Sequence, residues 1–370
     1  ILLALVILGG IRRIARVTEK IVPFMALFYF FGAMAVILTN YTNIIPSFVS
    51  IFSDLFKGSA ATGGFLGAGF AFAFNRGVNR GIYSNEAGQG SAAIAHSAAQ
   101  ANEPVSEGMV SILEPFIDTL VICTLTGLTI LSSGVWTQKV PNTFQQADMM
   151  VLEGALTEKA HAPQLYRTLA GESAGLRKFS GTLTIHNGFW QPPTPLTLIH
   201  ARSIAEDFRF YELDRPYSGN LKVAAGQILT TGITVKGSSL VHSAVLTTEA
   251  FTRSFLGHWG QYIVSIGLML FAFSTVISWS YYGSRAVTYL WGAHRVFPYQ
   301  ILYLIGFFAA SLIYTTLVWN LAAVAIVLMA VPNLLGILLL HRDMKQSVNE
   351  YWTQFRSEHP EVFNRLRFRS

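Results

Sequence analysis

Ser274 and Thr275 stand side by side in LFAFSTVISW, in the middle of an uncharged run, and Trp279 follows four residues after Thr275 on the same helical face. Hydroxyl oxygens beside carbonyls freed from a helix are hard ligands of the kind a sodium ion takes. Serine and threonine in such runs also bond back to carbonyls of their own helix, and spacing alone leaves both readings open. A carboxylate, Asp118, interrupts a second apolar run. A charge there is costly, so it must face other protein and find a partner or a proton, either as part of an ion path or as a hydrogen-bonded support.

The third constellation is glycine. Residues 60–101 read AATGGFLGAGFAFAFNRGVNRGIYSNEAGQGSAAIAHSAAQA, and residues 59–74 are free of charge yet carry Gly63, Gly64, Gly67 and Gly69 where a plain span would carry Leu or Ile. A helix broken there exposes backbone groups at membrane depth, which is tolerated where the chain lines a polar cavity and so points to a binding site. Glycines that merely let neighbouring helices approach are the alternative. Downstream, Asn85 and Glu86 are placed to cap a helix beginning near residue 87, with Arg76 and Arg80 placed to pair with Glu86, a structural gate at the mouth of the bundle. The loop lacks a phosphate-binding G-x-x-x-x-G-K-[ST] pattern, and His96 with Glu86 forms no recognised hydrolase motif.

The elements that hold these groups follow from composition. Of 370 residues, 52% are hydrophobic and 12% charged, which marks a polytopic membrane protein rather than a soluble enzyme. The net charge of +6 sits at span ends, so it reports topology and not a nucleic-acid footprint. A single cysteine, Cys123, excludes a disulfide framework. The chain opens on Ile1 with ILLALVILGG, too short to cross, and reads as the C-terminal part of a longer protein.

In order, residues 11–20 form a basic amphipathic connector, and Pro23 suits the first turn of a span over residues 22–39. Residues 45–56 suit a helix lying along the outer surface; the glycine-rich span returns inward to Arg76 and Arg80, and residues 108–131 cross again. From 136 to 238 the chain is polar and repeats itself: SGTLTIHNG at 180–188 and SGNLKVAAG at 218–226 share S-G-x-L-x-(I/V)-x-x-G, a small duplicated β motif with Asn187-Gly188 as a hairpin signal. Its histidines, His161, His186 and His200, lack ligand spacing and read as surface or turn residues. A short helix within 239–256, a span over 258–282, two spans within 296–340 and a charged cytoplasmic tail from 341 complete six spans and one stub. The organisation expected is a bundle over 1–135, an extracytoplasmic insert over 136–238, a second bundle part over 239–341 and a basic tail over 342–370.

RGIYSNEAGQGSAAIAHSAA, FIDTLVICTLTGLTIL, LTTEAF, LFAFSTVISWSYYG and LMAVPNLLGILLL, in that order, resemble successive C-terminal motifs of the sodium:alanine symporter family. The resemblance implies an all-α polytopic membrane protein, the second half of a leucine-transporter-type inverted-repeat fold with a small extracellular β-containing insert. It implies that Thr62, Gly63, Gly64, Phe65 and Gly67, with Thr275 and Trp279, contact a small neutral amino acid such as alanine or glycine, and that Ser274 and Thr275 hold sodium. Arg80, Asn85, Glu86 and Asp118 take gating or structural places, no other cofactor is expected, and the setting is a bacterial inner membrane. The family's first repeat, with its G-T-G-N-type motif, has no counterpart here. The competing expectation is a membrane-anchored sensor that binds its ligand through the insert.

Overall fold

A computed structural model describes residues 1–57, 70–86, 88–169, 176–191, 194–313 and 315–361. Thr62, Gly63, Gly64, Phe65 and Gly67 lie outside the described residues, and so does the helix break expected among them. Among the described residues four helices are long and apolar enough to cross a membrane: Ile11–Thr39, Pro104–Ser133, Gly257–Trp291 and Leu317–Glu358. Of the two further spans expected, one falls mostly outside the described residues. The other is the helix Val296–Ala310, whose 15 residues rise about 22 Å, short of a hydrocarbon core of about 30 Å. The stub is the six-residue helix Leu2–Ile7.

Two boundaries differ from the sequence reading. Connector and first span are one helix, Ile11–Thr39, with Pro23 inside it rather than at its start. Nothing between Arg16 and Pro23 breaks a helix, and the proline removes only the N–H that would have reached the carbonyl of Glu19, an exposed residue. The last span likewise continues without a break into the charged tail, as Thr315–Glu358. The tail is helical through its own i,i+4 contacts: Gln346 donates to Glu350 at 2.8 Å, Gln354 to Glu358 at 2.9 Å, and Tyr351 stacks on Phe355 at 6.0 Å.

The chain divides into two compact units, one of residues 1–27, 78–124 and 268–370, the other of residues 28–77 and 125–267. The second unit contains the β structure. Phe144, Met149, Val151, Leu183, Ile185, Leu198, Phe210, Leu221, Val223 and Val235 form its buried core. Strands Gly181–His186 and Gly219–Ala224, the two copies of the repeated motif, pair antiparallel with each other, Leu183 opposite Leu221. Those leucines occupy the same position in each copy, so a local two-fold axis passes between them. The symmetry extends to the turns. Asn187 and Gly188 have φ of 49° and 80°, Ala225 and Gly226 of 46° and 82°. Ser180 Oγ accepts from the N–H of Ala225 and Ser218 Oγ from that of Asn187, both at 2.8 Å.

In the same unit Gly32 allows a close approach: a Cβ there would lie 2.7 Å from Ile263 and 2.9 Å from Phe251. Beside it Tyr29 and Thr126 share a hydrogen bond of 2.7 Å. The helix Ile44–Lys57 is anchored at its start by Asn43, whose amide donates to the carbonyl of Ser132 at 2.8 Å. A second short helix, Ser243–Thr252, follows the last strand.

Candidate functional site: an unwound loop in the helical bundle

In the first unit a non-helical loop is held among helices. The helix Phe70–Ser84 ends, and Glu86, Gly88 and Gly90 then take φ of 52°, 76° and 83° before the helix Ser91–His96 begins. Three left-handed residues in five prevent the helix from continuing, and two of them are glycine, which bears that conformation without penalty. Gly90 is the N-cap and no side chain caps the new helix, so Asn85 and Glu86 do not cap it as the sequence suggested. They point elsewhere because the left-handed turn at Glu86 swings its side chain away from the helix start.

Three helical segments meet the loop, two of them at its side chains and one at its backbone. Ser84 donates to Asp118 Oδ2 at 2.6 Å, and Asn85 donates to Thr119 Oγ1 at 3.3 Å. Both partners lie in a π-helical stretch, Phe116–Cys123, of the kind that gathers at functional positions. The indole of Trp279 donates to Glu86 Oε1 at 2.8 Å. The amide of Asn333 donates to the carbonyl of Gly88 at 2.9 Å, satisfying one acceptor that the unwound backbone releases. Gln89 Oε1 and Ser91 Oγ are buried with no hydrogen-bond partner among the described residues, on residues 7% and 5% exposed. Two unpaired oxygens, a carboxylate and non-helical carbonyls make a set of hard acceptors suited to a cation or an ammonium group.

The expected pairing of Arg80 with Glu86 is replaced by another contact. The Arg80 guanidinium lies 5.2 Å over the ring of Trp319, which also packs edge-on against Tyr83 at 5.9 Å. Glu86 has its donor in Trp279 instead. His96 does not approach Glu86 either; its Nδ1 is 2.6 Å from Glu107 and its Nε2 3.5 Å from Glu114. Ser274 is buried and donates to the carbonyl of Phe271 at 2.9 Å, with Met25 Sδ 3.7 Å away. The helix Gly260–Trp291 is unbroken around Ser274 and Thr275, so it frees no carbonyl there, and Thr275 is exposed. Trp279, one turn on, is the member of that set that reaches the loop.

Asn333, Gln89 and Ser91 were not singled out in the sequence. Asn333 carries a signal, a lone amide in the apolar run LMAVPNLLGILLL, where a polar group needs a partner. Among the described residues no group of three or more His, Cys, Asp or Glu side chains is placed to hold a metal ion.

Comparison with known proteins places these features in context. The model of the sodium:alanine symporter family matches residues 1–165 and 222–365. An uncharacterised transporter of Haemophilus influenzae is 27% identical over 359 residues, 97% of this chain and 57% of its own. The sodium/alanine symporter AgcS of Methanococcus maripaludis is 32% identical over 337 residues, 91% of this chain and 52% of its own. The sodium/proton-dependent alanine carrier protein of Bacillus sp. strain PS3 is 39% identical over 132 residues, 36% of this chain and 29% of its own. The chain thus spans about half the length of the curated relatives that it matches along most of its own. No solved structure matches. The family match runs from residue 1 to residue 365, so within this chain the likeness is not confined to C-terminal motifs. Its gap, residues 166–221, is narrower than the polar insert of residues 136–238.

Proposed function

Since the chain belongs to the sodium:alanine symporter family, and is an integral, multi-pass membrane protein, we propose that it serves cation-coupled symport of a small neutral amino acid, alanine or glycine, by alternating access. Sodium is the coupling ion in this reading and travels as cargo. The observation that carries it is the unwound loop of Asn85, Glu86 and Gly88–Gly90, met by Trp279, Asn333 and Thr119 of the π-helical stretch, whose Asp118 accepts from Ser84 just before the loop. Irregular backbone inside a bundle of apolar helices is the usual mark of a transport site, because its freed carbonyls and helix ends hold charged cargo.

In this proposal Thr62, Gly63, Gly64, Phe65 and Gly67 line the substrate path with Thr275 and Trp279, and the hydroxyls of Ser274 and Thr275 contribute to sodium binding. Ser274 can do so through its oxygen lone pairs, since its proton is committed to Phe271. Arg80, Asn85, Glu86 and Asp118 hold the loop and gate it. The fold assigned is the leucine-transporter-type inverted repeat, and the setting a bacterial inner membrane. Uptake of labelled alanine by membranes carrying the full-length protein tests the proposal: accumulation that requires sodium is expected, and equal accumulation with choline in its place rejects cation coupling.

A second reading, ligand sensing through the β insert, has one observation in its favour. Phe189, Trp190, Leu196, Asp207, Phe208 and Arg209 line a cavity of about 460 Å³, and all six fall in the segment outside the family match. Ligand binding there without any uptake favours that reading.

A further inference from the structure

Away from the unwound loop, a cavity of about 170 Å³ is lined by Gly10, Ile11, Tyr281, Arg285, Val296 and Gln300, among others. Two of these residues open helices: Ile11 begins one of 29 residues and Val296 one of 15. The first N–H groups of a helix have no partner within it and form the positive end of its dipole. The start at Val296 continues from the turn Ala293–Arg295, and its N–H is bonded to the carbonyl of Ala293, so it adds its dipole while the start at Ile11 also offers N–H groups.

The side chains add donors. Arg285, an exposed residue whose guanidinium lies 5.4 Å over the ring of Tyr281, donates from Nε to the Tyr281 phenol at 2.8 Å. This leaves the phenol proton for another acceptor and the two terminal guanidinium nitrogens with no hydrogen-bond partner among the described residues. Gln300 is only 7% exposed, yet its amide likewise has no hydrogen-bond partner among the described residues. Among the described residues no carboxylate lines the cavity. Arg12, Arg16 and Arg295, all exposed, flank the same helix starts. Donors from three helices converging on one point suit a tetrahedral oxyanion better than a planar carboxylate.

We propose that this cavity binds an anionic phosphate group, one whose charge no ammonium in the same headgroup balances. Two sources share that chemistry, an anionic phospholipid headgroup and free phosphate. Ile11, which lines the cavity, and Tyr289 and Phe297, each next in sequence to a lining residue, are exposed and provide apolar surface for acyl chains, which favours the lipid.

The test is thermal unfolding of the full chain in detergent, with short-chain phosphatidylglycerol, short-chain phosphatidylcholine or inorganic phosphate added. Phosphatidylglycerol is expected to raise the midpoint by about 3 °C and phosphatidylcholine not to. Arg285→Gln and Gln300→Leu should each remove at least half of that shift, while Lys345→Gln keeps it. Stabilisation by inorganic phosphate as well assigns the site to the phosphate group alone; stabilisation by the lipid alone assigns it to the headgroup. Equal shifts with both lipids, no shift with any, or a shift unchanged in both cavity variants overturns the proposal. Native mass spectrometry of the unaltered protein gives a second measure should a variant fail to fold: preferential retention of phosphatidylglycerol supports the site, and equal retention of both lipids counts against it.

Discussion

The indole nitrogen of Trp279 and the carboxylate of Glu86, 193 residues apart in sequence, meet at 2.8 Å, and Glu86 is left-handed at φ 52° where they meet. Trp279 is therefore a strut for the unwound loop as well as a candidate substrate contact. The same side chain also packs edge-on against Tyr282 at 5.9 Å, which fixes the direction of its N–H.

Trp279→Phe keeps the ring and removes the donor, so Glu86 loses a charge-assisted bond worth about 1.5–3 kcal/mol. Thermal unfolding of the full chain should show a loss in that range. Glu86→Gln, which keeps an acceptor, should lose less. The double variant should lose less than the two single losses added, and strict additivity would show that the bond carries no coupling.

Gly88 and Gly90 predict a contrast. Both have positive φ, but a Cβ on Gly88 meets nothing nearer than Leu334 at 3.8 Å, whereas one on Gly90 meets Asn333 Oδ1 at 3.1 Å. Asn333 is also the residue that holds the carbonyl of Gly88. Gly88→Ala should cost about 1–2 kcal/mol from the left-handed backbone alone. Gly90→Ala should cost more and should also lower alanine uptake, because Asn333 must shift. Equal unfolding midpoints for the two variants would refute this.

Much of the bundle was readable from the sequence because long apolar runs must be helices in lipid, and the duplicated SGTLTIHNG and SGNLKVAAG motifs announced paired strands. What could not be read is where polar groups find partners. Glu86 with Trp279 and Gly88 with Asn333 are contacts between distant segments, which no local periodicity encodes. The break was expected at Gly63 and Gly64, which lie outside the described residues; a break within them falls at Glu86, Gly88 and Gly90, and there a non-glycine residue, Glu86, starts it. His200 was read as a surface or turn residue because it lacks metal-ligand spacing. It is buried, 3% exposed, because Gln145 and Ser239 satisfy its two ring nitrogens and Phe144 covers its face.

The two hairpin turns of the insert predict matched losses. A Cβ on Gly188 would lie 3.1 Å from the carbonyl oxygen of Phe210, and one on Gly226 3.0 Å from that of Val151. Both glycines are left-handed and both accept and donate across the same two-fold pattern: the N–H of Gly188 reaches Tyr217 and that of Gly226 reaches Phe179, at 2.7 and 2.8 Å. Gly188→Ala and Gly226→Ala should each destabilise the insert by about 2 kcal/mol or more, since neither backbone oxygen can yield. Limited proteolysis of the insert in the full chain would reveal it, and a twofold difference or more in protection between them would break the symmetry argument.

His200 makes the insert sensitive to acid. Its Nε2 accepts from the N–H of Gln145 at 3.1 Å, so the proton is on Nδ1, which donates to Ser239 Oγ at 2.7 Å, and the ring stacks on Phe144 at 4.2 Å. Burial lowers its pKa from 6.5 to about 4, opposed in part by the charge of Asp148 and reinforced by His242. The unfolded chain therefore binds a proton that the folded chain refuses, so this contribution is whole above pH 6.5 and drains away as pH falls toward 4, to a total of about 3 kcal/mol. The neighbouring pair runs the other way on its basic side. His242, raised by its 3.0 Å bond to Asp148, contributes fully below its ordinary value and loses that contribution as pH rises through the raised one. Hydrogen exchange of strands Met149–Glu153 and Leu196–His200 in the full chain, corrected for intrinsic rate, should accelerate between pH 6.5 and 4. His200→Gln, which does not titrate, should flatten that dependence at some cost in stability at neutral pH. An unchanged slope in the variant would move the acid sensitivity to another group.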